Sequence, residues 1–253
     1  MPKSFVDTQD IPTMREMITP QDRLAVALDF PDSKQALELI ARLDGTCRWF
    51  KVGMELYYAA GNAFIETLRK QDFQVFLDLK LHDIPNTVAG AVRSVTAAGA
   101  SLLTVHASGG PTMMAAAADA ASYPDSPRLL AVTVLTSMDP AELSAVGIPE
   151  SPIDQVILLA RLARSVGING LVCSPEEVAT LKNESDPDTL LVIPGIRPTG
   201  SDTGDQKRIA TPGDAIALGA SMLVVGRPIT RAADPAAAAK SILEEIAQAA
   251  SHV

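Results

Sequence analysis

Short apolar segments alternate with longer amphipathic segments along the chain from Arg23 onward. The apolar segments are rich in β-branched residues and short, which is typical of buried strands. The predicted strands cover residues 24–30, 48–53, 74–80, 101–107, 129–135, 169–174, 190–195 and 221–226. Helical periodicity is found between and after them, at residues 32–43, 61–71, 86–99, 152–167, 175–183, 212–219 and 234–250.

Near-continuous apolar strands that are each followed by a helix favour a parallel sheet covered by helices. Eight such units in a chain of 253 residues fit one closed (β/α)8 TIM barrel. An open doubly wound sheet is the alternative, but no GxGxxG motif follows the first strand and no linker divides the chain. We therefore expect an α/β fold with an N-terminal extension at residues 1–22 and a single barrel domain at residues 23–253.

Composition and charge narrow the possible partners. The chain is 47% hydrophobic and carries 21 Lys+Arg against 30 Asp+Glu, a net charge of −9. This balance argues against a broad basic face for nucleic acid, so an anionic ligand would need cations concentrated at one site. The N-terminal segment lacks the apolar core of a signal peptide, and we expect a cytoplasmic protein without a membrane partner. Cys47, Cys173 and three scattered histidines show no metal-ligand spacing, so we expect buried thiols and no metal.

Charged residues interrupt the apolar pattern near the ends of three neighbouring strands. In the third strand, alternation sends Phe76, Asp78 and Lys80 to one face and the intervening apolar residues to the other. The apolar face suits the helix layer, so Asp78 and Lys80 are expected to point into the barrel at its C-terminal end. Asp29 at the end of strand 1 and Lys51 near the end of strand 2 should join them where barrel enzymes hold their active sites.

These four charges have a structural and a chemical interpretation. A charge inside a barrel is costly unless it is paired or used, and an ion-pair network could serve only to define strand register. Lysines flanked by carboxylates, however, stay protonated despite burial. A positioned ammonium group is a general acid that can protonate a carbon or enol centre without a cofactor. Four such charges within three consecutive strands favour the chemical interpretation.

A second group of candidates follows strands 7 and 8. The loop that begins at Pro194 is long and polar, and Gly226 and Arg227 begin the element after strand 8. Loops after these two strands form the usual phosphate site of such barrels, with backbone N–H groups facing the anion. Arg197 alone could be a solvated loop charge, but its proximity to the sequence GDQ at 204–206 favours an anion site.

The segment from Asp78 to Thr87, DLKLHDIPNT, has the pattern DxKxxDIPxT and resembles the signature of the orotidine 5'-phosphate decarboxylases. Without this resemblance, Asp83 could simply stabilise a helix N-terminus and Thr136 could be a helix or turn cap. Six further motifs are similar to those of the family in the same order, and the resemblance covers residues 23–247. These motifs are ALDF with Asp29, FKVG with Lys51, LTS with Thr136, PGIR at 194–197, GDQ at 204–206 and VVGRPIT at 224–230.

The resemblance implies decarboxylation of orotidine 5'-monophosphate to uridine 5'-monophosphate through a carbanion at C6, without a cofactor. Lys80 would protonate that carbon, and Asp78 would face the departing carboxylate. Lys51, Asp78 and Asp83 would complete an alternating network with Lys80. The implied substrate contacts are Asp29 at the ribose, Thr136 at the base, Arg197, Gln206, Gly226 and Arg227 at the phosphate, and also Lys51, Ile84, Thr87 and Pro194.

The resemblance also implies a homodimer in which Asp83 and Thr87 reach into the partner's active site. Two other functions remain open at this point. One is a related sugar-phosphate barrel, such as a hexulose-phosphate synthase, that uses a magnesium-stabilised enediolate. The other is a silent phosphometabolite-binding barrel, although such a protein would be expected to have lost at least one of the four network residues, which are all present.

Overall fold

The structure, a computed structural model, describes residues 19–199 and 208–251. These residues form eight parallel strands that close into a barrel in sequence order. The strands are Leu24–Ala27 (β1), Trp49–Gly53 (β2), Gln74–Leu81 (β3), Leu102–His106 (β4), Arg128–Val132 (β5), Gly170–Val172 (β6), Leu190–Ile193 (β7) and Met222–Val225 (β8). Because β1 pairs with β8, the predicted (β/α)8 barrel is confirmed and the open sheet is excluded.

Helices follow the strands and cover the outside of the barrel. In the described ranges they are Ser33–Arg42 (α1), Met54–Arg69 (α2), Pro85–Ala98 (α3), Gly110–Ala120 (α4), Pro140–Ala145 (α5), Pro152–Ser165 (α6), Val178–Glu184 (α7), Pro212–Ala217 (α8), Arg227–Thr230 (α9) and Pro235–Ala250 (α10). Three short 3-10 turns are at Pro20–Arg23, Ala107–Gly109 and Pro175–Glu177. Helix α2 begins earlier than predicted because Gly61, with φ of 63°, kinks it without ending it.

Two apolar layers lie on the two sides of the sheet. One fills the barrel interior and includes Trp49, Phe76 and Leu102, all of which are buried. The other lies between strands and helices and includes Val75 and Leu77. The alternation predicted for β3 is therefore confirmed, with Phe76 inside and its two neighbours outside. This arrangement directs the charged residues that follow Phe76 toward the open end of the barrel.

The N-terminal end of the barrel is closed by the turn that precedes β1. Asp22 in this turn is buried and forms an ion pair with Arg48, just before β2, at 3.3 Å between Nη1 and Oδ1. Thr19 donates a second hydrogen bond to the same carboxylate.

No helix in the described ranges is long and apolar enough to cross a lipid bilayer.

Gly170 marks a close approach between two neighbouring strands. A Cβ atom at this position would lie 2.6 Å from the carbonyl oxygen of Leu129 and 2.5 Å from a side-chain carbon of Leu130. Gly170 lies in β6 and both leucines lie in β5, so a side chain here would push two bonded strands apart. Gly213 in α8 offers a contrast, because a Cβ atom there would meet nothing within 4 Å.

We expect Gly170→Ala to lower the free energy of unfolding by roughly 2 kcal/mol, the usual cost of overpacking a core. Gly213→Ala is the matched control and should raise it by up to about 1 kcal/mol, since alanine loses less backbone entropy in a helix. Urea unfolding followed by far-ultraviolet circular dichroism measures both changes. Equal unfolding midpoints for the two variants would contradict the close approach of β5 and β6.

Candidate active site

A cavity of about 260 Å³ opens at the carboxyl ends of the strands. It lies where the sequence predicted the chemistry, and it is lined by residues from both sequence regions singled out above. The predicted site residues that line it are Asp29, Lys51, Asp78, Lys80, Thr136, Pro194, Arg197, Gly226 and Arg227. The barrel therefore brings together residues that are almost 200 positions apart in the chain.

Four charged side chains form a continuous network in one wall of the cavity. Lys80 donates hydrogen bonds from Nζ to both carboxylate oxygens of Asp78, each at 2.8 Å. Lys51 Nζ lies 3.5 Å from Asp78 Oδ2 and 3.1 Å from Asp29 Oδ1. The charge thus alternates in sign along the wall, in the order Asp29, Lys51, Asp78, Lys80. Each ammonium group has a carboxylate partner, which compensates the loss of hydration on burial.

Strand register leaves space for Lys51 to reach Asp78 on the neighbouring strand. Lys51 in β2 lies level with Phe76 in β3, and Gly53 lies level with Asp78. A Cβ atom on Gly53 would be 3.2 Å from Lys51 Nζ and 3.3 Å from Asp29 Oδ1. These distances are tighter than ordinary contacts, so the absence of a side chain at Gly53 leaves room for the ion pair. Asp29 itself lies just beyond β1, which ends at Ala27 and is shorter than predicted.

Burial and charge act in opposite directions on the central pair. Burial favours the neutral form of Lys51, but the carboxylates of Asp78 and Asp29 outweigh it and raise the pKa of Lys51 above its ordinary value. Burial likewise opposes ionisation of Asp78, but Lys51 and Lys80 outweigh it and hold the pKa of Asp78 below its ordinary value. Both groups therefore stay charged at neutral pH.

The third strand is irregular at Lys80. The pairing of β3 with β4 shifts in register between Leu77 and Leu81. Lys80 lies in this irregular stretch with φ of 49°, a left-handed conformation that is uncommon for residues other than glycine. Such backbone strain is found preferentially at functional sites, where the surrounding structure holds it in place.

The cationic side of the cavity comes from β7 and β8. Arg197 is buried, donates a hydrogen bond from Nη1 to the carbonyl of Ile196 at 2.8 Å and is tied by its backbone N–H to the carbonyl of Ala210 at 2.9 Å. Arg227 begins α9, directly after Gly226. β7 is four strands from β3 in the closed barrel, so Arg197 faces the lysine network across the cavity. Gln206, the remaining predicted phosphate contact, lies outside the described residues.

Three predicted site residues do not line the cavity of their own chain. Asp83, Ile84 and Thr87 are exposed on the surface between β3 and the first turn of α3. The carboxylate of Asp83 accepts a hydrogen bond from the backbone N–H of Ile84 at 2.6 Å. The Ile84 side chain is 68% exposed, which is unusual for a large apolar residue.

Comparisons with known proteins identify the family of the chain. A family model described as orotidine 5'-phosphate decarboxylase / HUMPS family matches residues 22–242. The chain belongs to this family. One relative is the orotidine 5'-phosphate decarboxylase of Methylobacterium sp. (strain 4-46). It is 52% identical over 237 residues, which cover 93% of this chain and 100% of the relative.

Further relatives carry the same name. The orotidine 5'-phosphate decarboxylase of Nitrosospira multiformis is 52% identical over 214 residues, covering 85% of this chain and 89% of the relative. The crystal structure of orotidine 5'-phosphate decarboxylase from Lactobacillus acidophilus is similar with a TM-score of 0.78 at 41% identity, covering 88% of this chain and 98% of that one. The family and the barrel fold predicted from the sequence are both confirmed.

Several residues around the site were not predicted from the sequence. Glu177 and Arg208 form a buried ion pair, and Arg208 also donates to the carbonyl of Leu135 at 2.9 Å, next to Thr136. Cys173, expected only to be buried, also lines the cavity. Thr104 contacts the lysine network from β4. These contacts of Glu177, Arg208 and Thr104 are with residues distant in the chain, so no local pattern distinguishes them.

We expect Asp78→Asn to lower the free energy of unfolding by about 3 kcal/mol at neutral pH, because it leaves two ammonium groups without their shared carboxylate. The pKa of Asp78 is lower in the folded state, so its contribution is present above the unfolded value of about 3.9 and is lost as the pH falls through the folded value. The difference from the wild type should therefore narrow below about pH 4.

Denaturant unfolding across this pH range measures the effect. Glu38→Gln is the control, because Glu38 forms an exposed pair with Lys34 at 4.0 Å and should contribute less than about 0.5 kcal/mol. A loss for Asp78→Asn no larger than that of the control, or one independent of pH, would argue against the charge network described here.

Proposed function

We propose that this chain decarboxylates orotidine 5'-monophosphate to uridine 5'-monophosphate and CO2. The observation that carries the proposal is a single cavity with a proton donor at one wall and cations at the other. Lys80 lies against Asp78 on the first wall, and Arg197 and Arg227 line the second. The family of the chain and the names of its relatives support the same reaction.

The reaction needs positive charge that stabilises an electron pair left on carbon, and a group that then supplies a proton. When the bond between C6 and the carboxylate breaks, CO2 leaves and the electron pair stays on C6. The ammonium group of Lys80 then donates a proton to that carbon, and solvent restores the proton to the lysine. The step is redox-neutral and the lysines of the cavity can stabilise the electron pair on C6, so we propose that the protein performs it without a cofactor.

Preorganised charge lowers the barrier to carbanion formation. Lys80 and Lys51 are held in place before the substrate arrives, so no reorganisation is needed as negative charge develops at C6. Asp78 contacts both lysines at 3.5 Å or less and defines where their ammonium groups lie. We assign Lys80 as the proton donor, Asp78 as the group that positions its ammonium, and Lys51 as a second positive charge beside Asp78.

The remaining cavity residues suit the other parts of the nucleotide. Arg197, Arg227 and the backbone at Gly226 form the cationic end and are proposed to bind the phosphate, together with Gln206. Thr136 follows β5 and is proposed to contact the base, whereas Asp29 beside Lys51 is proposed to contact the ribose. Pro194 also lines the cavity after β7 and is proposed to contact the substrate.

We propose a homodimer in which Asp83, Ile84 and Thr87 complete the active site of the partner subunit. All three are exposed and lie outside the cavity of their own chain, although they follow Lys80 closely in sequence. A large apolar side chain as exposed as that of Ile84 is compatible with a contact surface. In the dimer, Asp83 would extend the alternation of charge beyond Lys80.

We further propose that residues 23–253 act as one catalytic domain and residues 1–22 as an N-terminal extension. The part of the extension within the described ranges packs at the end of the barrel opposite the cavity, where Asp22 pairs with Arg48. This position suits a structural role, since the amino ends of barrel strands carry stability and the carboxyl ends carry chemistry.

The purified chain should turn over orotidine 5'-monophosphate in excess EDTA, measured by the change in ultraviolet absorbance. Lys80→Ala should lower kcat by at least about 1,000-fold, because both the proton donor and a stabilising charge are lost. Lys34→Ala removes an exposed lysine on α1 and should leave the rate unchanged. Full dependence on Mg²⁺ would favour the sugar-phosphate chemistry instead, and equal rates for wild type and Lys80→Ala would remove the proposed proton donor.

The proposed homodimer, with active sites shared between subunits, leads to a second prediction. Lys80→Ala and Asp83→Ala chains should each be inactive alone but regain about one quarter of wild-type activity after mixing and subunit exchange, because half of the dimers then hold one intact site. Lys80→Ala mixed with Asp78→Ala is the control and should stay inactive, since both residues come from one chain. Absence of recovery in the first mixture, despite demonstrated exchange, would contradict the shared site.

A further inference from the structure

Thr104 is a polar residue at the centre of the barrel wall. It lies in β4 between Leu103 and Val105, which pack outward against the helices, and is itself 0% exposed. Alternation therefore directs its side chain into the barrel, toward β3. A hydroxyl group buried in this layer is costly unless both its donor and its acceptor capacities are used.

Both capacities of the Thr104 hydroxyl are used by the lysine network. The hydroxyl oxygen accepts a hydrogen bond from the backbone N–H of Lys80 at 2.8 Å. It also lies 3.0 Å from Asp78 Oδ1, to which it donates. Since a hydroxyl has a single proton and the Lys80 N–H can only donate, the proton of Thr104 is committed to the Asp78 carboxylate. One side chain thus bridges the backbone of Lys80 and the carboxylate that Lys80 contacts.

This bridge replaces a hydrogen bond that the irregular strand has lost. Leu77 of β3 pairs with Leu103 and Leu81 pairs with Val105, so the residues between them have no regular partners on β4. Lys80 lies in that gap with φ of 49°. Its N–H would lack a ladder acceptor there, and the Thr104 hydroxyl supplies one. A left-handed conformation at a residue other than glycine persists only where its surroundings hold it in this way.

We infer that Thr104 is a positioning residue for decarboxylation, whose hydroxyl holds the Asp78 carboxylate and the strained Lys80 backbone so that the ammonium group points at the reacting carbon. The inference rests on the proposed function. Thr104 does not line the cavity and therefore acts through Asp78 and Lys80 rather than on the substrate. Its donated hydrogen bond is one of the interactions, after burial and the two lysines, that set the pKa of Asp78.

A positioning role predicts a loss of kcat without a loss of nucleotide binding. Thr104→Val preserves the shape of the side chain but leaves the Lys80 N–H without its acceptor and removes one of the two hydrogen bonds to Asp78 Oδ1. We expect kcat to fall by roughly 10- to 100-fold, the effect of one hydrogen bond to a charged group. The affinity for uridine 5'-monophosphate should change by less than about 2-fold, because phosphate binding supplies the affinity and is unaltered. Thr104→Ser keeps the hydroxyl and should restore kcat to within about 3-fold of wild type.

Thr133→Val is the matched control. Thr133 is also buried in the barrel wall, and its hydroxyl donates to the carbonyl of Val172 at 3.0 Å, away from the lysine network. It should show a comparable loss of stability and near wild-type kcat. If Thr104→Val does not fold, the comparison of Thr104→Ala with Thr104→Ser separates the hydroxyl from the rest of the side chain in the same way.

Three outcomes would overturn the inference while leaving the proposed function intact, because the wild type turns over substrate in each. They are wild-type kcat in Thr104→Val, equal losses of kcat in Thr104→Val and Thr133→Val, and failure of serine to restore kcat. Absence of turnover by the wild type would instead overturn the proposed function and this inference with it.

Discussion

The pairing of Asp78 with two lysines is the interaction on which the rest of the site depends. Charges are expensive inside a barrel, and this carboxylate is the one group that contacts both Lys51 and Lys80 in the described part of the chain. Its contacts hold both ammonium groups in the same wall of the cavity. The neighbouring strands accommodate the pairing through the absence of a side chain at Gly53 and the irregular backbone at Lys80.

The net charge of the chain says little about the site. At −9 the protein is acidic, yet its cavity is lined by four cations, Lys51, Lys80, Arg197 and Arg227, against two carboxylates, Asp29 and Asp78. Local geometry creates this contrast, because a closed barrel brings the carboxyl ends of all its strands to one mouth. An anionic substrate therefore meets concentrated positive charge on a molecule that repels it elsewhere.

Prediction from the sequence succeeded where the signal was local and failed where it depended on distant partners. The alternation around Phe76 correctly placed Asp78 and Lys80 on the inner face, and all eight strands were found. Six strands end earlier than predicted, and β1 and β5 do so by three residues each, since apolar residues continue beyond the strands into the loops. The ion pair of Glu177 with Arg208 was not found, because each residue alone looks like an ordinary surface charge.

The sequence by itself determined the barrel, the family and the residue types available for chemistry, because periodicity and motifs are properties of adjacent residues. Only the tertiary structure decided the distances among Lys51, Asp78 and Lys80, since strand register and closure arise from pairing between remote segments. It also revealed Thr104 as the support of this network. A buried threonine in an apolar strand acquires that role only when a neighbouring strand loses its regular hydrogen bonds beside it.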